Sequence, residues 1–183
     1  MTLKRREILR TGVALAGAAF APAVPAWAFA EADVRRLSFL NVHTGEASGE
    51  IAYWENGAYA PEALAAVNHS LRDWRNNKVH VIEPRLLDLL TALQGALGTR
   101  ERIQVISGYR SPETNAMLHA RSDQVSATSL HMQGQAIDIH LPGVALTRLR
   151  DGAQSLAIGG VGYYPVSNFV HVDIGPVKTW SGT

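Results

Sequence analysis

The chain contains no cysteine. An oxidising compartment can therefore give it no disulfide, and core packing together with any bound metal must hold the fold. Charge of one sign is equally scarce, with 17 Lys and Arg against 16 Asp and Glu and a formal net charge of +1. Four of those bases and one of those acids fall in residues 1–28, so the remainder carries 13 basic and 15 acidic side chains, a net −2. That balance gives no basic footprint for nucleic acid or an anionic membrane surface. Long hydrophobic runs are missing too: the apolar stretch from Thr11 to Ala23 is shorter than the ~18 residues a membrane span needs.

What is present fits one globular domain of ordinary composition, 183 residues with 46% hydrophobic and 18% charged. The amino terminus stands apart. Lys4-Arg5-Arg6-Glu7-Ile8-Leu9-Arg10 precedes an Ala/Gly-rich apolar stretch and then Pro25-Ala26-Trp27-Ala28. Paired arginines ahead of a weakly hydrophobic segment favour a twin-arginine signal over a general secretory one. Cleavage is expected after Ala28, with Ala28-Phe29-Ala30 as the alternative, which leaves residues 29–183 as the mature domain in the periplasm. Twin-arginine substrates fold before export, which allows metal loading in the cytoplasm.

Along the mature chain, Arg36 to His43 and Glu50 to Glu55 flank the turn Thr44-Gly45-Glu46 and predict an opening hairpin. Pro61 starts a helix with Leu64, Val67, Leu71 and Trp74 on one face and Arg72, Asp73 and Arg75 facing away. A second helix runs from Pro84 through Leu86, Leu90, Leu93 and Leu97 to a stop at Gly98. Arg102 to Ser107 predicts a strand, and Ser111-Pro112 a capped helix to about Ala120. Ser122 to Thr128 is a polar loop, and Leu146 to Leu156 a short helix. Gln135 to His140 and Asn168 to Ile174 alternate as strands over a core. Strands mixed irregularly with helices indicate an α+β fold with an antiparallel sheet.

Two of these segments carry chemistry. His131 precedes Asp138 by seven residues, and His171-Val172-Asp173 follows downstream. Two imidazoles and a carboxylate make three ligands and leave one position open, the ligand count of a hydrolytic zinc site. Asp138 and His171 lie on expected strands, and His131 in a loop where Gly134 and Ala136 have no bulk to crowd a metal. His43, His69, His80 and His119 show no ligand spacing among themselves.

The pattern Ser129-x-His131-x-x-Gly134-x-Ala136-x-Asp138 with His171 resembles the signature of the lysostaphin, D-Ala-D-Ala metallopeptidase and hedgehog-like zinc proteins. Ser107-Gly108-Tyr109-Arg110-Ser111-Pro112 belongs to the same likeness. Asn41-Val42-His43-Thr44-Gly45-Glu46, Leu71-Arg72-Asp73-Trp74-Arg75, and Phe169 to Asp173 with Trp180 resemble the exported murein endopeptidase branch. The resemblance implies a small antiparallel sheet with helices packed on it and one zinc ion per chain, held by His131, Asp138 and His171. It further implies hydrolysis of amide bonds in peptidoglycan stem peptides or crosslinks; a monomer is expected. Arg110 matches the family arginine that binds the substrate carboxylate or scissile carbonyl, and Tyr109 and Ser129 join it as candidate substrate contacts.

This chain departs from the dipeptidase pattern at Asn168, where a Glu three residues before the last His serves as general base. An amide cannot accept that proton. Asp173, beside His171, and His140, beside Asp138, are the candidate substitutes, because side chains two apart on a strand share a face. Asp173 has a second possible role, holding an imidazole in its metal-binding tautomer. Tyr163-Tyr164 is the expected groove wall. Two rivals to an endopeptidase stay open at this point: a D,D-carboxypeptidase trimming terminal D-Ala, and a non-catalytic zinc module that binds peptidoglycan or a partner.

Overall fold

A computed structural model describes residues 34–183. The expected signal peptide and both cleavage sites lie outside the described residues. Among the described residues nine strands form two sheets, accompanied by four α-helices. The larger has six strands in the order β2 (Phe39–Asn41), β5 (Ile103–Ser107), β6 (Ala136–His140), β8 (Phe169–Asp173), β7 (Gly160–Tyr164), β9 (Lys178–Ser181). Its four inner strands pair antiparallel, as expected for this α+β fold, while each edge strand runs parallel to its neighbour.

One face of this sheet is covered and the other carries the site. Ile137, Ile139, Val170 and Val172 are at most 1% exposed and join the core with Leu90, Leu93 and Leu149. Those leucines come from α2 (Pro84–Leu97) and α4 (Leu146–Leu156), which pack against each other while α4 lies on β7 and β8. Proline opens α2 and Gly98, at φ 65°, closes it in the left-handed conformation that the sequence pattern requires. Each leucine of that stripe contributes roughly 1.5–3 kcal/mol by leaving water.

Three expectations need correction. The opening hairpin is interrupted at Ser38: β1 (Val34–Leu37) pairs with β3 (Ile51–Glu55), while β2 crosses into the large sheet beside β5. Leu37 and Phe39 are both buried, so one continuous stretch serves two sheets. Helix α1 (Pro61–Ser70) ends before Leu71, and Trp74 sits on the following turn, stacked on His43 at 4.2 Å. Strands β7 and β9 went unread, because three glycines at 159, 160 and 162 and a four-residue edge give little strand signal.

The small sheet, β1-β3-β4 with β4 at Ala58–Tyr59, is tied to α2 through one carboxylate. Asp88 accepts hydrogen bonds from Arg35 at 2.7 Å, Tyr53 at 3.1 Å and Tyr59 at 2.6 Å, one from each strand. Burial drives both tyrosines upward, Tyr53 well beyond its ordinary range, so they stay protonated donors. Breaking a buried, charged hub of this kind typically costs ~3–5 kcal/mol. Asp88→Ala should therefore lower stability by about that amount in urea unfolding, and a loss below ~1 kcal/mol would show that the hub is not what joins the small sheet to the helices.

Candidate metal centre

The site begins with sheet register. Asp138 on β6 lies directly opposite His171 on β8, so their side chains emerge side by side on the uncovered face. His131 arrives from a single 3-10 turn, Leu130–Gln133, which Ser129 caps by accepting the His131 N–H at 3.3 Å. Gly134 ends the turn at φ 65°, and the Val81 carbonyl occupies the space a side chain would need. Gly134 is thus required by the backbone rather than by crowding at a metal, a correction to the expectation from sequence.

Both imidazoles have their outer nitrogens committed. Nδ1 of His131 donates to the Gly108 carbonyl at 2.8 Å, and Nε2 of His171 donates to Asp173 Oδ2 at 3.1 Å. The carbonyl only accepts, which fixes the His131 tautomer and leaves a lone pair on its Nε2; His171 lies between two carboxylates, and a proton held by Asp173 on Nε2 leaves the Nδ1 lone pair facing Asp138. Those two nitrogens lie 3.1 Å apart and 3.2 and 2.8 Å from Asp138 Oδ1. With the His171 proton on Nε2, three acceptors face one another, and the ligand atoms of all three residues lie within 4.8 Å of one another. Such a set fits a divalent cation.

The electrostatics show a site that draws positive charge. Burial lowers His131, an effect the Asp138 carboxylate only partly offsets. Burial also acts to lower His171, but hydrogen bonds to Asp138 and Asp173 overcome it and raise that ring to about 9. Asp138 is pushed the other way: burial would raise it, yet the two imidazoles hold it far below the usual carboxylate range.

Arg110 stands behind this trio. Its guanidinium donates to the second oxygen of Asp138 and to Ser107 Oγ, each at 3.2 Å, while its Nε is buried without a partner. It therefore balances Asp138 and still reaches the groove wall. The backbone of the Gly108–Ser111 turn is pinned from the other side, with Tyr109 N–H on the Leu71 carbonyl at 2.7 Å and Ser111 N–H on Asp73 at 2.9 Å. Asp73, expected to face solvent, is 1% exposed and serves this turn instead.

Asp173 is buried beneath His171. Its Oδ1 accepts the N–H groups of Gly160 and Gly175, each at 2.8 Å, and its Oδ2 accepts from His171. Burial would raise this carboxyl, but the His171 and backbone hydrogen bonds hold it below its ordinary value. Ser129 lines the groove. Two candidates are not brought to it: His140 meets Gln104 Oε1 at 3.2 Å, one register step past Asp138, and Tyr109 stacks on His80 at 4.7 Å. Asn168 lies exposed in the β7–β8 turn at φ 56°, a conformation that Asn tolerates and that keeps its side chain out of the groove.

The groove holds about 590 Å³. Of the Tyr163-Tyr164 pair only Tyr164 faces it, stacked on Phe169 at 4.4 Å, whereas Tyr163 turns to Arg150. Trp180 extends that wall, tilted over His171 with ring centroids 5.2 Å apart and donating to the Tyr164 hydroxyl at 2.9 Å. The polar loop contributes Gln124 to the groove lining, tied to Thr183 at 2.7 Å. Sequence reasoning missed Gln124, Lys178 and Thr183, and the one available signal was the Lys178-x-Trp180 alternation on an edge strand.

Two imidazoles and a carboxylate converging at the floor of a groove of about 590 Å³ are the working part of a metallopeptidase. Comparison with known proteins narrows that class. A family model described as "Peptidoglycan L,D-endopeptidase MepK" matches residues 29–180, and the chain belongs to this family. It is 48% identical over 177 residues to the peptidoglycan L,D-endopeptidase MepK of Escherichia coli (strain K12), covering 96% of each chain, and equally to that of Shigella flexneri. The probable peptidoglycan L,D-endopeptidase MepK of Haemophilus influenzae is 45% identical over 150 residues, 81% of this chain and 80% of the relative.

The pinned turn yields a test. Burial opposes ionisation of Asp73, but hydrogen bonds from Thr114, Ser111 and Arg75 outweigh it and depress its pKa. A depressed carboxyl stabilises the fold fully above its unfolded pKa, near ~4, and loses that contribution as pH falls through the folded value. Asp73→Asn should cost about 1.5–3 kcal/mol at pH 7. Urea unfolding should also show the variant losing less stability than the wild type between pH 5 and pH 3; parallel losses would contradict the assignment.

Proposed function

We propose that the protein is an exported zinc peptidase that hydrolyses amide bonds joining L- to D-configured centres in peptidoglycan crosslinks. The observation that carries this reading is the convergence of His131 Nε2, His171 Nδ1 and Asp138 Oδ1 with both outer ring nitrogens already donating. The names of the relatives supply the substrate class. Two imidazoles, one carboxylate and an open position favour zinc among divalent ions. The paired arginines and Ala-rich segment of residues 1–28 support the twin-arginine route and a periplasmic location, where murein is.

When bound, such an ion acidifies a water and polarises the scissile carbonyl. The residues of the chain do the rest. Gly108 and Asp173 hold the rings of His131 and His171 with their lone pairs directed inward. Arg110 donates to the second oxygen of Asp138 and places a fixed positive charge at the groove wall, where an oxygen gaining negative charge would be stabilised. Ser129 fixes the turn that presents His131. Asp173, with both oxygens engaged, acts through His171 as a positioning residue rather than as the acceptor of a proton from water.

Metal-loaded protein incubated with purified sacculi should convert crosslinked muropeptide dimers to monomers, read by mass spectrometry, and His171→Ala should abolish the conversion. Loss of terminal D-Ala alone would replace this reading with a carboxypeptidase. Asp173→Asn should weaken zinc affinity about 10–100-fold in competition with a chelating dye. An unaltered affinity would return Asp173 to the list of candidate bases.

A further inference from the structure

Among the described residues two permanent cations line the groove, and one of them is committed. Arg110 is 8% exposed and donates to Asp138 and Ser107. Lys178 is exposed, and among the described residues no carboxylate lies within ion-pair distance of it. Its ammonium instead rests 5.1 Å from the centroid of the Trp180 ring. That ring is 5.2 Å from His171, so the ammonium stands no more than about 10 Å from the metal-ligating imidazole.

The strand pairing explains how the two side chains share the groove face. Lys178 and Trp180 are two apart on β9, and each lies opposite a glycine of β7, Gly160 and Gly162. A Cβ at Gly162 would come 2.6 Å from the Trp180 ring. The absence of a side chain at Gly162 therefore lets the indole lie against β7, with its Nε1 fixed on Tyr164. Lys178 in turn has an aromatic platform that holds its charge toward the site instead of leaving it to wander in solvent.

An amide between an L-centre carbonyl and a D-centre nitrogen has a definite charge nearby. The D-centre carries its own carboxyl on the carbon next to the scissile nitrogen. In a groove whose own carboxylates, Asp138 and Asp173, are already engaged, that group is the anion an unpaired ammonium would meet. We infer that Lys178, seated on Trp180, is the specificity-determining cation that binds the carboxylate of the D-centre flanking the scissile bond. It selects free acids over carboxamides at that carbon and does not read the configuration itself. This inference rests on the endopeptidase reading above.

The test uses the full-length, metal-loaded protein and two probes: purified crosslinked muropeptide dimers with the D-centre carboxyl free, and the same dimers with it converted to the carboxamide. The wild type should prefer the free acid about tenfold in kcat/KM, expressed in KM with kcat little altered. Lys178→Gln should erase that preference and Lys178→Arg should keep it, while zinc affinity is the same in all three. Equal preference in wild type and Lys178→Gln, or an equal loss by Lys178→Gln on both probes, overturns the role of Lys178 and leaves the endopeptidase reading intact. Failure of the wild type to cleave either probe overturns both.

Discussion

Two imidazole nitrogens and a carboxylate oxygen must be kept aimed at one point on the floor of the groove, and most of the structure around them answers that constraint. Cross-strand register sets Asp138 against His171. Gly108 and Asp173 each take an outer ring proton, and Arg110 takes the second carboxylate oxygen. The braces are themselves braced. Leu71 and Asp73 hold the backbone of the Gly108–Ser111 turn, and the amides of Gly160 and Gly175 hold Asp173. A loop far upstream in the chain is in this way part of the metal centre without touching it.

The fold separates two kinds of energetics on two faces of one sheet. Ile137, Ile139, Val170 and Val172 gain stability by leaving water against the helices. Between them, Asp138 and His171 project to the opposite face, where burying charge is costly unless every lone pair and proton is matched. The same solution appears at a distance from the groove, where Asp88 takes protons from Arg35, Tyr53 and Tyr59 and thereby attaches the small sheet to α2. Buried carboxylates here act as joints between elements that hydrophobic packing alone would leave free to slide.

What could be read from sequence was whatever repeats locally. The leucine stripe ending at Gly98 marks α2, the Ser111-Pro112 cap marks the helix after the arginine turn, and alternation marks β6 and β8. The ligand trio was legible because Asp138 and His171 sit on such strands. Other features depend on neighbours that no local pattern reveals. Gly160 and Gly162 look like a loop until Asp173 and Trp180 are seen lying against them. Strand alternation does place His140 with Asp138, but the groove ends before it and Gln104 meets it instead. Asp73 reads as a solvent-facing helical residue only because α1 gives no sign that it stops at Ser70.

The separation of the ligands along the chain has its own consequence. His171 meets partners 33 and 40 residues earlier, and it does so only once β6 and β8 have paired. A divalent ion that recognises the trio therefore recognises the finished sheet and not the open chain. By linkage, an ion present at a hundred times its dissociation constant adds about 2.7 kcal/mol to the folded state. Copies without their ion open more often by the same factor, so a protease added to the protein would cut them ahead of copies that carry it.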